Sequence, residues 1–214
     1  MTDWQHFDAA ALDELDRVYR LNLINSVTGV KAANLVGTRS RDGRENLAVF
    51  SSAVHLGSNP PFLGLMLRPT TVPRHSHENI QATGVYTLNA ITGAMAERAH
   101  YTSAKFGADE SEFEHCRLTP HYRDGFDAPF VAESPIRIGL RLTEEIPIRS
   151  NGTALLVGQV ETLEVRDDGL MDDGAIDLAA LELRAIAGLN RYHPIEPADF
   201  FPYARPDRVP DFRD

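Results

Sequence analysis

Between Asp8 and Ser26, apolar residues recur every three or four positions: Leu12, Leu15, Val18, Tyr19, Leu23 and Ile24. That spacing predicts one helix over 8–26, capped by Asp8 and with acids in its first turns. The pattern then changes. Ala32 to Thr38 is a short apolar run, Arg41-Asp42-Gly43-Arg44 predicts a tight hairpin turn, and Asn46 to Leu56 reads as the returning strand. Asn59-Pro60-Pro61 stops it, and Phe62 to Leu67 follows as a buried strand. Thr70 to Pro73 leads into a helix beginning at Pro73 or Ser76 and ending at Thr83, before Gly84; Val85 to Ala90 is again a strand. Thr92 to Thr102 reads as helix. Residues 103–130 show little periodicity and predict a long excursion with a short helix near Glu110 to His115. Ile136 to Ile148 and Thr153 to Val165 are long strands joined at Ser150-Asn151-Gly152. The tail from Gly188 to Asp214 is rich in proline and aromatics and predicts an extended segment lying along a surface. Six or more strands in hairpin pairs, with helices between them, predict a single mainly-β domain: an antiparallel barrel with helical decoration. No G-x-G-x-x-G follows the first strand, which argues against a doubly wound dinucleotide fold.

Composition narrows the function. The 214 residues include 43% hydrophobic and 24% charged residues, ordinary globular values. The net charge of −10 opposes binding to nucleic acid and to anionic membranes, and no basic cluster offsets it. No run approaches the ~20 apolar residues of a membrane span, and the amino terminus lacks a charged segment followed by an apolar one. With the single cysteine, Cys116, no internal disulfide forms. The expectation is a soluble cytoplasmic protein.

Candidate chemistry concentrates in residues 46–80. A polar-studded strand, a buried strand and a helix with Arg74 and Ser76 in its first turn offer contacts to both ends of a phosphorylated heterocycle. Arg74 brings a planar fork of donors, Ser76 a hydroxyl and the helix start free N–H groups; Arg68 is a second cation. The plain alternatives are that Ser76 caps the helix and that Arg74 is solvated. On the strand, Asn46, Ala48 and Ser51 are candidates for the ring, with backbone groups of Leu47 and Ala48. Side chains alternate faces, so Ser51 and Ser52 cannot both turn to one ligand; a polar outer strand face is the alternative for both. His75 and His77 lack a third ligand at metal-binding spacing. Cys116, beside His115, has no neighbour that orients a base.

The order of these pieces resembles the flavin reductase-like, FMN-binding split-barrel family. Val36-Gly37-Thr38, the Asp42-Gly43 turn, Asn46 to Ser51, Asn59-Pro60-Pro61, Arg74-His75-Ser76 with Asn79-Ile80, and Tyr86 to Asn89 carry the likeness. Thr102 to Phe106, Ser111 to Glu114 and Gly188 to Tyr192 extend it over about residues 20–205. Val30-Lys31-Ala32 replaces a frequent Pro-Arg-Pro, and Arg74-His75-Ser76 a frequent Lys-Asp-Thr. The His-x-Phe-x-Gly element of the small reductases is absent, which points to a flavoredoxin-like branch. The resemblance implies a split β-barrel and a homodimer with the 103–130 excursion and the tail as contacts. It implies FMN held by Asn46, Leu47, Ala48, Ser51, Arg68, Arg74, Ser76 and Ser103, with Ser51 favoured over Ser52. His100, Tyr101, Thr102, Ser103 and Tyr192, with His193, would line the open flavin face, where NADH or NADPH delivers hydride to N5. The alternatives are an FMN electron carrier without nicotinamide turnover, or a split barrel for another phosphorylated aromatic ligand.

Overall fold

The computed structural model describes residues 3–69, 74–107 and 109–212. The predicted helix over 8–26 is two helices, α1 (Ala9–Glu14) and α2 (Arg17–Ser26). Asp8 caps the first by accepting from the Ala11 N–H, as expected. Leu15 then takes an extended backbone, and Asp16 caps α2 by accepting from the N–H groups of Val18 and Tyr19. A short acidic side chain satisfies the backbone locally and so restarts the helix, which hydrophobic spacing alone does not reveal. Those two N–H donors also hold the Asp16 carboxyl below its ordinary range.

The strands that follow are β1 (Lys31–Ala32), β2 (Asn34–Arg39), β3 (Glu45–Phe50), β4 (Ala53–Ser58) and β5 (Pro61–Leu67). Then come α3 (His75–Thr83), β6 (Val85–Ala90), α4 (Ala96–Tyr101) and α5 (Glu112–His115). The chain continues through β7 (Pro120–Arg123), β8 (Phe126–Val131), β9 (Ile136–Ile148), β10 (Thr153–Val165), β11 (Arg184–Ala187) and β12 (Arg191–Pro194). Seven strands form one antiparallel sheet in the order β3-β2-β6-β9-β10-β5-β4. β3 and β4 are consecutive in the chain yet lie at opposite edges. The sheet must therefore curl until a two-residue corner, Ser51-Ser52, spans both edges, which gives a barrel closed at one end and split along β3 and β4. The expected single strand from Asn46 to Leu56 is thus broken at this corner. Ser52 fastens it: its hydroxyl donates to the Met66 carbonyl at 2.8 Å, and its own carbonyl accepts from the Met66 N–H.

The barrel interior is filled by Val36, Leu65, Tyr86, Leu88, Leu140 and Leu156, with Ile80 of α3 closing one end. A second core lies on the other side of β2 and β3. There Leu35 and Leu47 pack with Met95 and Ala99 around α4, Phe113 of α5 and Ile186 of β11. β8 crosses β2 so closely that a Cβ at Gly37 would sit 2.1 Å from the Pro129 carbonyl oxygen, so only glycine fits there. Two pieces exceed the sequence expectation. The 103–130 excursion contains α5 but also the β7–β8 hairpin, turned by Asp124-Gly125 with Gly125 at φ 80°. The start of the tail is not merely extended: β12 pairs with β11, and β11 pairs with β1. Beyond Ile195 the tail is exposed, and no described helix is long and apolar enough to cross a membrane.

Candidate functional site

β3 orders the site because its two sides serve different neighbours. The Leu47 N–H donates to Glu112 Oε2 at 3.1 Å, pointing away from β2. Backbone groups alternate along an antiparallel strand, so Asn46, Ala48 and Phe50 turn theirs toward β2, while Glu45, Leu47 and Val49 present theirs at the free edge. This corrects the expected role of Ala48: its backbone belongs to the ladder and is not free for a ring. The Leu47 N–H is likewise engaged, by Glu112.

Asn46 is buried under the start of α3. Its amide donates to Ser76 Oγ at 2.9 Å and to Thr38 Oγ1 at 3.2 Å, and Asn79 donates to the same threonine oxygen at 3.2 Å. Both amide protons of Asn46 are committed, and through them it anchors the start of α3. Ser76 is buried and accepts from Asn46; it is not the helix cap, a position occupied by Arg74, whose side chain makes no capping bond. The Arg74 backbone N–H donates to Glu78 Oε1. Arg74 Nε turns back to the Pro69 carbonyl at 3.4 Å, which places its guanidinium near the end of β5 and so near Arg68. Both arginines are exposed, and neither enters an ion pair among the described residues. The expected Thr70 to Pro73 approach to the helix lies outside those residues.

These contacts form a circuit. β3 runs past Asn46 to the Ser51-Ser52 corner, the corner is tied to Met66, and β5 runs on into Arg68-Pro69. Pro69 accepts from Arg74, and Ser76 accepts from Asn46. Ser52 is committed to Met66, whereas Ser51 has no hydrogen-bond partner among the described residues. An anionic group fits the donor set here: Arg74 stands at the helix start, Arg68 precedes the Pro69 carbonyl that Arg74 reaches, and neither enters an ion pair among the described residues of a chain of net charge −10.

On the other side of β3, α4 ends in His100 and Tyr101. His100 Nδ1 lies 3.4 Å from the Tyr192 hydroxyl, and the two rings meet edge-on with centroids 5.7 Å apart. Burial pushes the Tyr192 phenol up to about 12. Tyr101 is exposed. Thr102, in contrast, is buried, and its hydroxyl donates to the Ala99 carbonyl; this removes it from the expected open face. Ser103 is exposed, but its hydroxyl donates to the His100 carbonyl at 2.7 Å, closing the end of α4.

The residue that sequence reasoning missed is Glu112. It is buried, borders a cleft of about 150 Å³ with Glu45, His75, Glu78 and Glu110, and clamps α5 to the edge of β3. Burial raises its carboxyl above the ordinary range; the Leu47 N–H and the nearby His75 and His115 oppose that rise. The expected histidine pair is divided: His75 lines this cleft, while His77 is buried against Glu145 at 3.1 Å. Among the described residues, no group of three or more His, Cys, Asp or Glu converges as a metal site. Cys116 is buried, and burial raises its thiol.

A curled antiparallel sheet whose consecutive strands β3 and β4 lie at its two edges defines the class of split barrels. Residues 30–177 match the flavin reductase like domain, and the chain belongs to that family. An uncharacterized protein of Halalkalibacterium halodurans is 30% identical over 73% of this chain and 78% of its own. A solved split-barrel protein from Shewanella frigidimarina, assigned to the flavin reductases, is 42% identical with a TM-score of 0.90; the match covers 94% of this chain and all of that one. The flavoredoxin of Desulfovibrio vulgaris is 27% identical with a TM-score of 0.69, covering 82% of this chain and 91% of its own.

Proposed function

We propose that this chain binds FMN and reduces it with NADH or NADPH. The observation that carries the proposal is the set of bonds that ties the corner beside Ser51 to Met66, Pro69 beside Arg68 to Arg74, and Ser76 at the start of α3 to Asn46. Arg68 and Arg74 hold the phosphate with charge-assisted bonds, and the first N–H groups of α3 add to them. Asn46, through Ser76 and Thr38, fixes the helix start from below, so the cations approach from a rigid base. Ser51, whose hydroxyl has no partner among the described residues, faces the polar edge of the ring, and the outward Leu47 carbonyl and Val49 backbone groups lie along the same strand.

When bound, FMN supplies the hydride acceptor, and the protein positions it. The surfaces of Tyr101, His100 and Tyr192 offer aromatic faces to a nicotinamide, and alignment of the two rings provides most of the rate effect without an essential acid or base. The reading of the chain as an FMN electron carrier draws support from one feature: the hydroxyls of Thr102 and Ser103 are turned into α4 and away from a second ligand.

The test is the absorbance spectrum of the purified protein with FMN, recorded without oxygen before and after NADH and NADPH are added in turn. Bleaching of the flavin band by either nucleotide supports the reductase. Retained FMN with no bleaching selects the carrier. Failure to retain or take up FMN overturns both.

A further inference from the structure

Two sets of directional bonds hold α3, and they come from different parts of the barrel. Toward β2 and β3, Ser76 accepts from Asn46 and Asn79 donates to Thr38. Toward β9, His77 and Gln81, four residues apart and so on one face of the helix, both reach Glu145. His77 Nε2 lies 3.1 Å from Glu145 Oε1, and the Gln81 amide donates to Oε2 at 3.0 Å, so both carboxylate oxygens are occupied. An ionised carboxylate only accepts, which assigns the Nε2–H to the buried His77 ring. His77 follows Ser76 directly, within the first turn of α3.

Glu145 also connects the helix to the strand that leads to the second cation. It pairs with Leu156 of β10, and Leu156 pairs with Leu65 of β5. One row across the sheet therefore runs from Glu145 to a point three residues before Arg68. Ile80 plugs the end of the barrel from the same helix, but apolar burial is non-directional and leaves the helix free to turn about its axis. Hydrogen bonds fix direction, and the bonds to Glu145 oppose that turn from the β9 side.

We infer that His77 and Glu145 are positioning residues for the phosphate: they set the rotation of α3 so that Arg74 and the first N–H groups of the helix converge with Arg68. The inference rests on the FMN reading and adds two residues that act through the helix. A binding site held in its bound geometry spares the ligand the cost of ordering it. The sign of the effect separates positioning from simple charge. Glu145 brings a negative charge to the flank of an anion site, so by charge alone its removal would tighten phosphate binding. Positioning requires that its removal weaken it.

The test titrates FMN, and riboflavin, which has the same ring and ribityl chain but no phosphate, into the wild type, E145A and H77Q at neutral pH. The Glu145 side chain is 29% exposed, so E145A leaves no closed cavity and keeps the fold. E145A should raise the FMN dissociation constant about tenfold, as expected for one charge-assisted bond held out of line, and leave that of riboflavin within about twofold. H77Q, whose amide can donate to Glu145, should stay within about threefold of the wild type for FMN. An E145A variant that binds FMN as tightly as the wild type or more tightly, or that weakens FMN and riboflavin alike, overturns the inference. So does H77Q as weak toward FMN as E145A. A wild type that binds neither flavin, or binds riboflavin as tightly as FMN, defeats the phosphate assignment itself and the inference with it.

Discussion

The two sides of β3 show how one strand serves two purposes. Toward α3, the strand meets amide and hydroxyl groups: Asn46 bridges Ser76 and Thr38, and the exposed arginines stand just beyond. Toward α4 and α5, Leu47 enters a dry core and its N–H is held by the buried Glu112. On the first side, Arg68 and Arg74 enter no ion pair among the described residues. On the second, one carboxylate is buried to fix a backbone edge. Removing a buried side chain on the second side should therefore weaken the fold and spare the ligand. Removing a polar group on the first should affect both.

The largest expected change in stability comes from Leu47→Ala. Leu47 is fully buried, and truncation at such a site costs about 2–5 kcal/mol through lost transfer energy and the cavity left behind. Thermal or urea unfolding measures this, and FMN affinity of the folded fraction should change less than threefold. Asn46→Ala follows, at about 1–3 kcal/mol, because Ser76 and Thr38 lose their buried partner. Unlike Leu47→Ala, it should also weaken FMN binding, since it loosens the start of α3. If both variants retained FMN equally well, the division between the two sides would fail.

A smaller effect separates the sides by pH. The Glu112 carboxyl is raised by burial, so its stabilising contribution is full below the ordinary glutamate pKa and is lost as pH rises through the raised value. Glu112→Gln keeps an acceptor for the Leu47 N–H and removes that loss. The variant should match the wild type in acid and be more stable at neutral pH, and unfolding curves across that window check it. A wild type that gains stability with rising pH in this window, relative to the glutamine variant, would contradict the assignment. Tyr192→Phe should be smallest, within about 1 kcal/mol, because the hydroxyl makes only a 3.4 Å contact with His100.

Much of this arrangement was legible in the residues, for identifiable reasons. The long hairpin of β9 and β10 announces itself through Asn151-Gly152, and Ser76 lies in the first turn of the expected helix α3. The Ser51-Ser52 corner is not visible, because Asn46 to Leu56 reads as one strand; two of its apolar residues, Val54 and Leu56, turn out to be exposed. Glu112 is invisible for a different reason. Its partner is a backbone N–H 65 positions away, and a backbone group leaves no signature in the sequence. The same holds for Asn46. Its polarity suggests a ligand contact, and only the fold shows that both its donors are taken by Ser76 and Thr38.

The most direct test of the central claim is an FMN titration of the wild type, Arg74→Ala and Ser52→Ala, followed by quenching of flavin fluorescence. Loss of a charge-assisted bond to phosphate costs about 1.5–3 kcal/mol, so Arg74→Ala should raise the dissociation constant by roughly ten- to a hundredfold. Ser52, whose hydroxyl is committed to Met66, should change it less than threefold. Equal effects of the two substitutions, or an unchanged constant for Arg74→Ala, would contradict the assignment of the phosphate to the start of α3.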